Sequence, residues 1–151
     1  MIFMQQALVN AKKAFDIGEV PIGCVIVRDE KIIAQAFNMR NIQNNVLYHA
    51  EILAINQACQ KLKSWRLENC ILYVTVEPCA MCAGAILQSR IPKIVFGCEN
   101  KKAGCAGSVL NILNEKKFNH QTQIISGIMK DECSKIMSEF FKSLRNHKNQ
   151  E

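Results

Sequence analysis

Two short stretches carry side chains whose types and spacing could do chemistry. In "LYHAEILAI", His49 and Glu51 stand at the start of an apolar helical stripe, and neither histidine nor glutamate is a usual helix cap. Further along, in "VEPCAMCAGA", Cys79 and Cys82 form a C-x-x-C pair directly after an apolar run. Alone, that pair reads equally as a redox couple or as two packing cysteines. His49 shifts the balance. One imidazole and two thiolates are three protein ligands of the kind zinc takes, with the fourth tetrahedral position left for water. A structural zinc site would be closed by a fourth protein ligand, and none stands at motif spacing. Glu51 lies two residues beyond His49 and can point beside such a metal without binding it. A carboxylate there can take a proton from activated water and hand it to a ring nitrogen and a leaving amine. Without the neighbouring ligands it would be an ordinary first-turn acid complementing the helix dipole.

For these groups to meet, two helix N-termini must open at one edge of a sheet. The patterning supplies both. Met4, Ala7, Leu8, Ala11 and Phe15 recur at helical spacing with Lys12 and Lys13 opposite, which predicts an amphipathic first helix. "VPIGCVIVRDEKIIAQAF" reads as two strands in a hairpin with Asp29 and Glu30 at the tip. Residues 38–46 are a polar loop, and residues 49–62 a helix with Ile52, Ile55, Cys59 and Leu62 on its apolar stripe. "CILYVTV" is apolar on both parities, as a central strand covered on both faces would be. "CAMCAGAILQSR" predicts a helix, "KIVFG" a strand, residues 98–108 a glycine-punctuated loop, and residues 109–113 a short helical piece. "TQIISGI" reads as a last strand. Cys133, Ile136, Met137, Phe140, Phe141 and Leu144 fall on one face of a long final helix. This order implies an α/β chain with a sheet between helices.

The 151 residues predict a single domain, 1–151, with enough chain to bury a substantial core. Mean hydropathy is 0.00, and no apolar run approaches the length of a membrane span. The N-terminus reads as a packed helix and not as a secretory signal, so a cytoplasmic location is expected. In that reducing setting Cys24, Cys59, Cys70, Cys98, Cys105 and Cys133 are expected to pack as small apolar residues. A net charge of +6 permits a polyanionic partner without demanding one. His120 and His147 are expected at the surface, and Trp65 beneath its loop.

H-x-E followed by P-C-x-x-C is the signature of the zinc deaminases. The segments "GEVPIGCVIV", "HAEILAI", "LYVTVEPCAMCAGAILQSRI", "IVFGC", "KKAGCAGS" and "SEFFKSLR" run in one order along nearly the whole chain. In these the chain resembles the bacterial tRNA-specific adenosine deaminases of the cytidine/deoxycytidylate deaminase superfamily. The resemblance implies a three-layer α/β/α cytidine-deaminase-like fold with a five-stranded mixed sheet. It implies one zinc per subunit on His49, Cys79 and Cys82, Glu51 as proton shuttle, and Asn38 hydrogen-bonding the purine edge. Read alone, Asn38 would be a loop-turn asparagine. The implied reaction is hydrolytic deamination of adenosine to inosine at the wobble position of a tRNA anticodon. The implied partners are an anticodon stem-loop and a second subunit, with no membrane and no nucleotide cofactor. Lys101, Lys102 and the cations of "NEKK" and "KSLRNHK" would meet phosphates. Two readings compete: a guanine or other free-base or nucleoside deaminase on the same fold, and a non-catalytic zinc-folded interaction domain. An intact Glu51 argues against the second of these. The chain departs from the family pattern at Asn100, where an acid is usual, and at Tyr48, where a small residue is usual.

Overall fold

The computed structural model describes residues 1–150. Four α-helices and five strands follow in the order α1 (Ile2–Asp16), β1 (Gly23–Arg28), β2 (Lys31–Phe37), α2 (Ala50–Leu62), β3 (Cys70–Val76), α3 (Ala80–Gln88), β4 (Lys93–Cys98), β5 (Gln123–Ile125) and α4 (Lys130–Lys148). The strands form one sheet in the order β2-β1-β3-β4-β5. β1 runs antiparallel to both β2 and β3, whereas β3, β4 and β5 are parallel. The sheet is therefore mixed, as expected.

Side-chain alternation on the inner strands divides the core into two layers. Cys24, Ile26, Leu72, Val74, Ile94 and Phe96 pack with Ala54, Ala58 and Ile86 of α2 and α3 on one face. Val25, Val27 and Val95 pack with Met4 and Ala7 of α1 and Cys133 of α4 on the other. Two glycines set how closely the second pair of helices lies. A Cβ on Gly23 would run into the α1 backbone at Ala7, and one on Gly97 into the Cys133 sulfur. The β1–β2 hairpin turns on Asp29 and Glu30, both left-handed at φ 50 and 60, which is the twist that a two-residue hairpin turn requires.

The structure trims several expectations. The piece predicted at residues 109–113 is a 3₁₀ turn at Ile112–Asn114, while Val109 and Leu110 stay exposed. The last strand ends at Ile125, because Gly127 turns away at φ 84. On α4, Cys133 and Phe140 are buried but Phe141 and Leu144 stand in solvent. Trp65 is 55% exposed, flanked by the guanidinium groups of Arg66 and Arg90 instead of covered by its loop. His120 is half-buried between Arg90 and the Leu87 carbonyl, whereas His147 is exposed as expected. The six packing cysteines behave as anticipated, five buried and Cys59 half-buried, and all are free thiols.

Candidate active site

His49 and Cys79 each sit one residue before a helix, in extended backbone at φ −77, ψ 154 and φ −75, ψ 179. Each backbone carbonyl already accepts the first helical bond, from Leu53 and Ala83 respectively. Neither side chain caps its own helix, so both are free to turn towards one another. Cys82 lies one turn into α3 and is fully buried. His49 Nδ1 stands 3.6 Å from the sulfurs of both Cys79 and Cys82. The three donor atoms all lie within 4.8 Å of one another, the one such group of His, Cys, Asp and Glu among the described residues. Zinc–nitrogen and zinc–sulfur bonds of ordinary length at a tetrahedral angle separate N from S by about 3.6 Å. The residues fit the ion.

Protonation follows the same geometry. A hydrogen bond from Cys82, with one from His49, pulls Cys79 down to about 4 against the opposing effect of burial. Cys82 is pushed far up, first by donating to the Cys79 sulfur and then by burial. His49 is raised by its bond to Cys79. The partial positive charges of two helix N-termini favour the anionic sulfur. Metal ligation needs deprotonated sulfur, and a Cys79 thiol held this low suits a cation.

Glu51, on the first turn of α2, is 4% exposed and outside the ligand trio. Burial raises its pKa, partly offset by hydrogen bonds from backbone and from Cys82. The sulfur contact places its carboxyl beside the cluster.

Asn38 follows β2 and begins the loop that ends at His49. Met39 N donates to Tyr48 O at 3.0 Å, closing the loop's neck so that Asn38 and His49 flank it. The Asn38 side chain is buried; its Nδ2 faces Glu19 Oε2 and Val20 O, each at 3.4 Å, and its Oδ1 accepts from Arg40 N at 3.2 Å. Tyr48, one of the two departures from the family pattern, supplies the carbonyl of this neck.

Sequence reasoning missed two further buried acids. Glu19 sits between α1 and β1, and its Oε1 accepts from Ile42 N at 2.6 Å. Glu77 precedes Pro78 and Cys79, and its carboxylate accepts from the backbone N–H groups of Asn100, Ala106 and Ser108 and from the Ser108 hydroxyl. It thereby ties the loop carrying Asn100, Lys101 and Lys102 to the segment that presents Cys79. Charged residues directly abutting apolar strands, in "GEVPIG" and "TVEPC", were the available signal. Lys101 and Lys102 of that loop, with Arg145 and Lys148, line a cavity of about 860 Å³ together with Val20, Ile22 and Phe141.

A mixed sheet between helix pairs, with an open His–Cys–Cys trio and a buried carboxyl beside it, defines a deaminase of the zinc type. The family model for MafB19-like deaminases matches residues 1–145. A tRNA-specific adenosine deaminase of Bacillus subtilis is 48% identical over 147 residues, covering 97% of this chain and 91% of that protein. Its counterpart in Haemophilus influenzae is 42% identical over 146 residues, covering 96% and 84%. A solved structure from work on A-to-I editing by tRNA:A34 deaminases at the wobble position of transfer RNA superposes with a TM-score of 0.86 at 39% identity, covering 89% of this chain and 98% of that one. A guanine deaminase of Nitrosomonas europaea shares the fold at TM-score 0.79 and 20% identity, covering 91% and 82%. The chain belongs to the tRNA-specific adenosine deaminases within the MafB19-like deaminase family.

Proposed function

We propose that this chain hydrolyses adenosine to inosine at the wobble position of a tRNA anticodon. The observation that carries the reading is the open His49–Cys79–Cys82 trio with buried Glu51 beside it, in a chain 48% identical to a tRNA-specific adenosine deaminase. His49, Cys79 and Cys82 would hold one zinc per subunit. When bound, zinc supplies Lewis-acid activation of a water molecule. Glu51 would accept a proton from the attacking water on a carboxylate oxygen as the water oxygen bonds to C6, deliver it to N1 of the adenine ring, and pass the remaining water proton to the amine as the C6–N bond breaks and ammonia leaves. Its raised pKa suits a group that must hold a proton and then release it. Asn38, at the loop neck beside His49, hydrogen-bonds the purine edge, and Lys101, Lys102, Arg145 and Lys148 meet phosphates of the splayed loop.

The chain forms one deaminase domain and works as a homodimer in the cytoplasm. Among the described residues, no helix is long and apolar enough to cross a membrane. Ala83 of α3 is buried against the sheet, but a Cβ on Gly84 would meet nothing within 4 Å. A mid-helix glycine costs about 1 kcal/mol relative to alanine, and no packing within the chain requires this one. Gly84 borders a cavity of about 330 Å³ beside exposed Phe118, where a second subunit's helix can approach closely.

The test offers an anticodon stem-loop, adenosine and guanine side by side to the zinc-loaded protein. Inosine in the stem-loop, with slight action on free adenosine, is the expected result. Xanthine from guanine without action on the stem-loop would establish a free-base deaminase instead.

A further inference from the structure

Glu19 is fully buried, yet among the described residues no cation pairs with it. A carboxylate has roughly four acceptor sites. Glu77 fills that many with donors from its loop, whereas Glu19 receives hydrogen bonds from only two groups, Ile42 N and Asn38 Nδ2. Both belong to the loop that joins Asn38 to His49. With so few bonds, both to one segment, the buried Glu19 carboxyl is aimed at that one loop.

The network permits one orientation of the Asn38 amide. The NH2 group faces two acceptors, the Glu19 carboxylate and the Val20 carbonyl, while the oxygen faces the Arg40 N–H donor. Turned over, the amide would set oxygen against carboxylate and carbonyl, and N–H against N–H, so every one of the three contacts would be lost. We infer that Glu19 is a positioning residue: it fixes which way the Asn38 amide faces and so sets the hydrogen-bonding pattern that the purine edge meets. The inference rests on the reading of Asn38 as the residue that contacts the base.

Glu19→Gln tests this with little change of shape. The side-chain oxygen of the glutamine can still accept from Ile42 N, but its NH2 group faces the NH2 of Asn38, and the fixed orientation is lost. The experiment is a double-mutant cycle on the zinc-loaded full chain, with kcat/KM measured on an anticodon stem-loop and zinc content measured for each variant. Asn38→Ala should lower kcat/KM by about ten- to a hundredfold, and Glu19→Gln by about tenfold, with zinc retained in both. Added to Asn38→Ala, Glu19→Gln should cost less than about twofold, because its target is gone. An undiminished loss in that background, or no loss from Glu19→Gln in the native chain, would overturn the inference. An inert Asn38→Ala would instead remove Asn38 from the substrate contact, and the inference with it.

A second variant pair covers the case in which Glu19→Gln alone folds poorly. Asn38→Asp opposes two carboxylates and should inactivate. Combined with Glu19→Gln it regains a donor–acceptor pair in reversed sense, and folding should recover together with part of the activity. Failure of the combination to improve on Asn38→Asp would count against the coupling.

Discussion

The first turn of α2 and the loop after β4 each depend on a buried glutamate, and the two titrate in opposite directions. Glu51 is 4% exposed and its pKa is raised; Glu77 is 2% exposed and its pKa is lowered. Burial pushes both upward. At Glu77 that push is overcome by the Ser108 hydroxyl and the N–H groups of Ser108, Ala106 and Asn100. Glu51 has weaker compensation, from its own backbone and Cys82, and the Cys79 thiolate adds a repulsion. The same side chain at nearly the same depth is thus prepared for opposite tasks. One has its acceptor sites filled and serves as an anchor; the other has capacity to spare, as the proposed proton carrier needs.

The largest effect expected from breaking this contrast is at Glu51. Glu51→Gln keeps the shape and removes the proposed proton carrier, so turnover on the stem-loop should fall by roughly two to four orders of magnitude. Zinc content should remain one per chain, measured on the same preparation. A variant that loses its metal would make Glu51 a ligand and end its assignment as shuttle. The ligands themselves should behave differently: Cys79→Ala or Cys82→Ala should strip the metal and lower the Tm together, because metal binding contributes to folding free energy. Full zinc occupancy in either variant would contradict the ligand set.

Glu77 should show the converse pattern. Glu77→Gln keeps an acceptor but replaces the other oxygen with a donor opposite the Ala106 and Ser108 N–H groups, at a cost of about 1–3 kcal/mol in stability. Zinc binding should persist, and denaturant unfolding measures the difference. The pH dependence has a definite sign. Because the folded-state pKa lies below the unfolded one, Glu77 contributes stability above the usual carboxylate pKa and loses it as pH falls through the lowered folded value. The stability gap between native and Glu77→Gln chains should therefore be widest near neutrality and close in acid. A constant gap across that range would mean that the charge on Glu77 is not what holds the loop.

How much of this was legible in the sequence follows the same division. That His49, Cys79 and Cys82 come together was readable because His49 and Cys79 stand at helix starts, with Cys82 one turn further on, and a helix start fixes where a side chain begins. The five-stranded sheet was readable from strand patterning and family resemblance together. Glu19 and Glu77 were not read as anchors because four of their six donors are backbone N–H groups far along the chain: Ile42 for Glu19, and Asn100, Ala106 and Ser108 for Glu77. Any residue but proline carries such a donor, so the partners leave no mark in the sequence. Trp65 was misplaced for a related reason. An indole flanked by two guanidinium groups is satisfied without burial, and neither Arg66 nor Arg90 advertises that role by spacing.

The smallest effect expected lies at the tip of the anchored loop. Lys101 and Lys102 are exposed and line the basic cavity, immediately after Asn100, whose N–H Glu77 holds at 3.2 Å. Neither makes an ion pair among the described residues, so alanine at both positions should leave the Tm and zinc content unchanged. The contribution proposed for them is phosphate contact, which acts through counterion release and weakens as salt rises. If both meet phosphates, the double variant should flatten the slope of log affinity against log salt by roughly 1.4, the value for two contacts on a single strand. Affinity should fall most at low salt and converge with the native chain at high salt. Glu77→Gln, which loosens the same loop without removing a lysine, should lower affinity with a smaller change in slope. Equal slopes for the native and double-lysine chains would place the phosphates elsewhere, leaving Glu77 as an anchor for Cys79 alone.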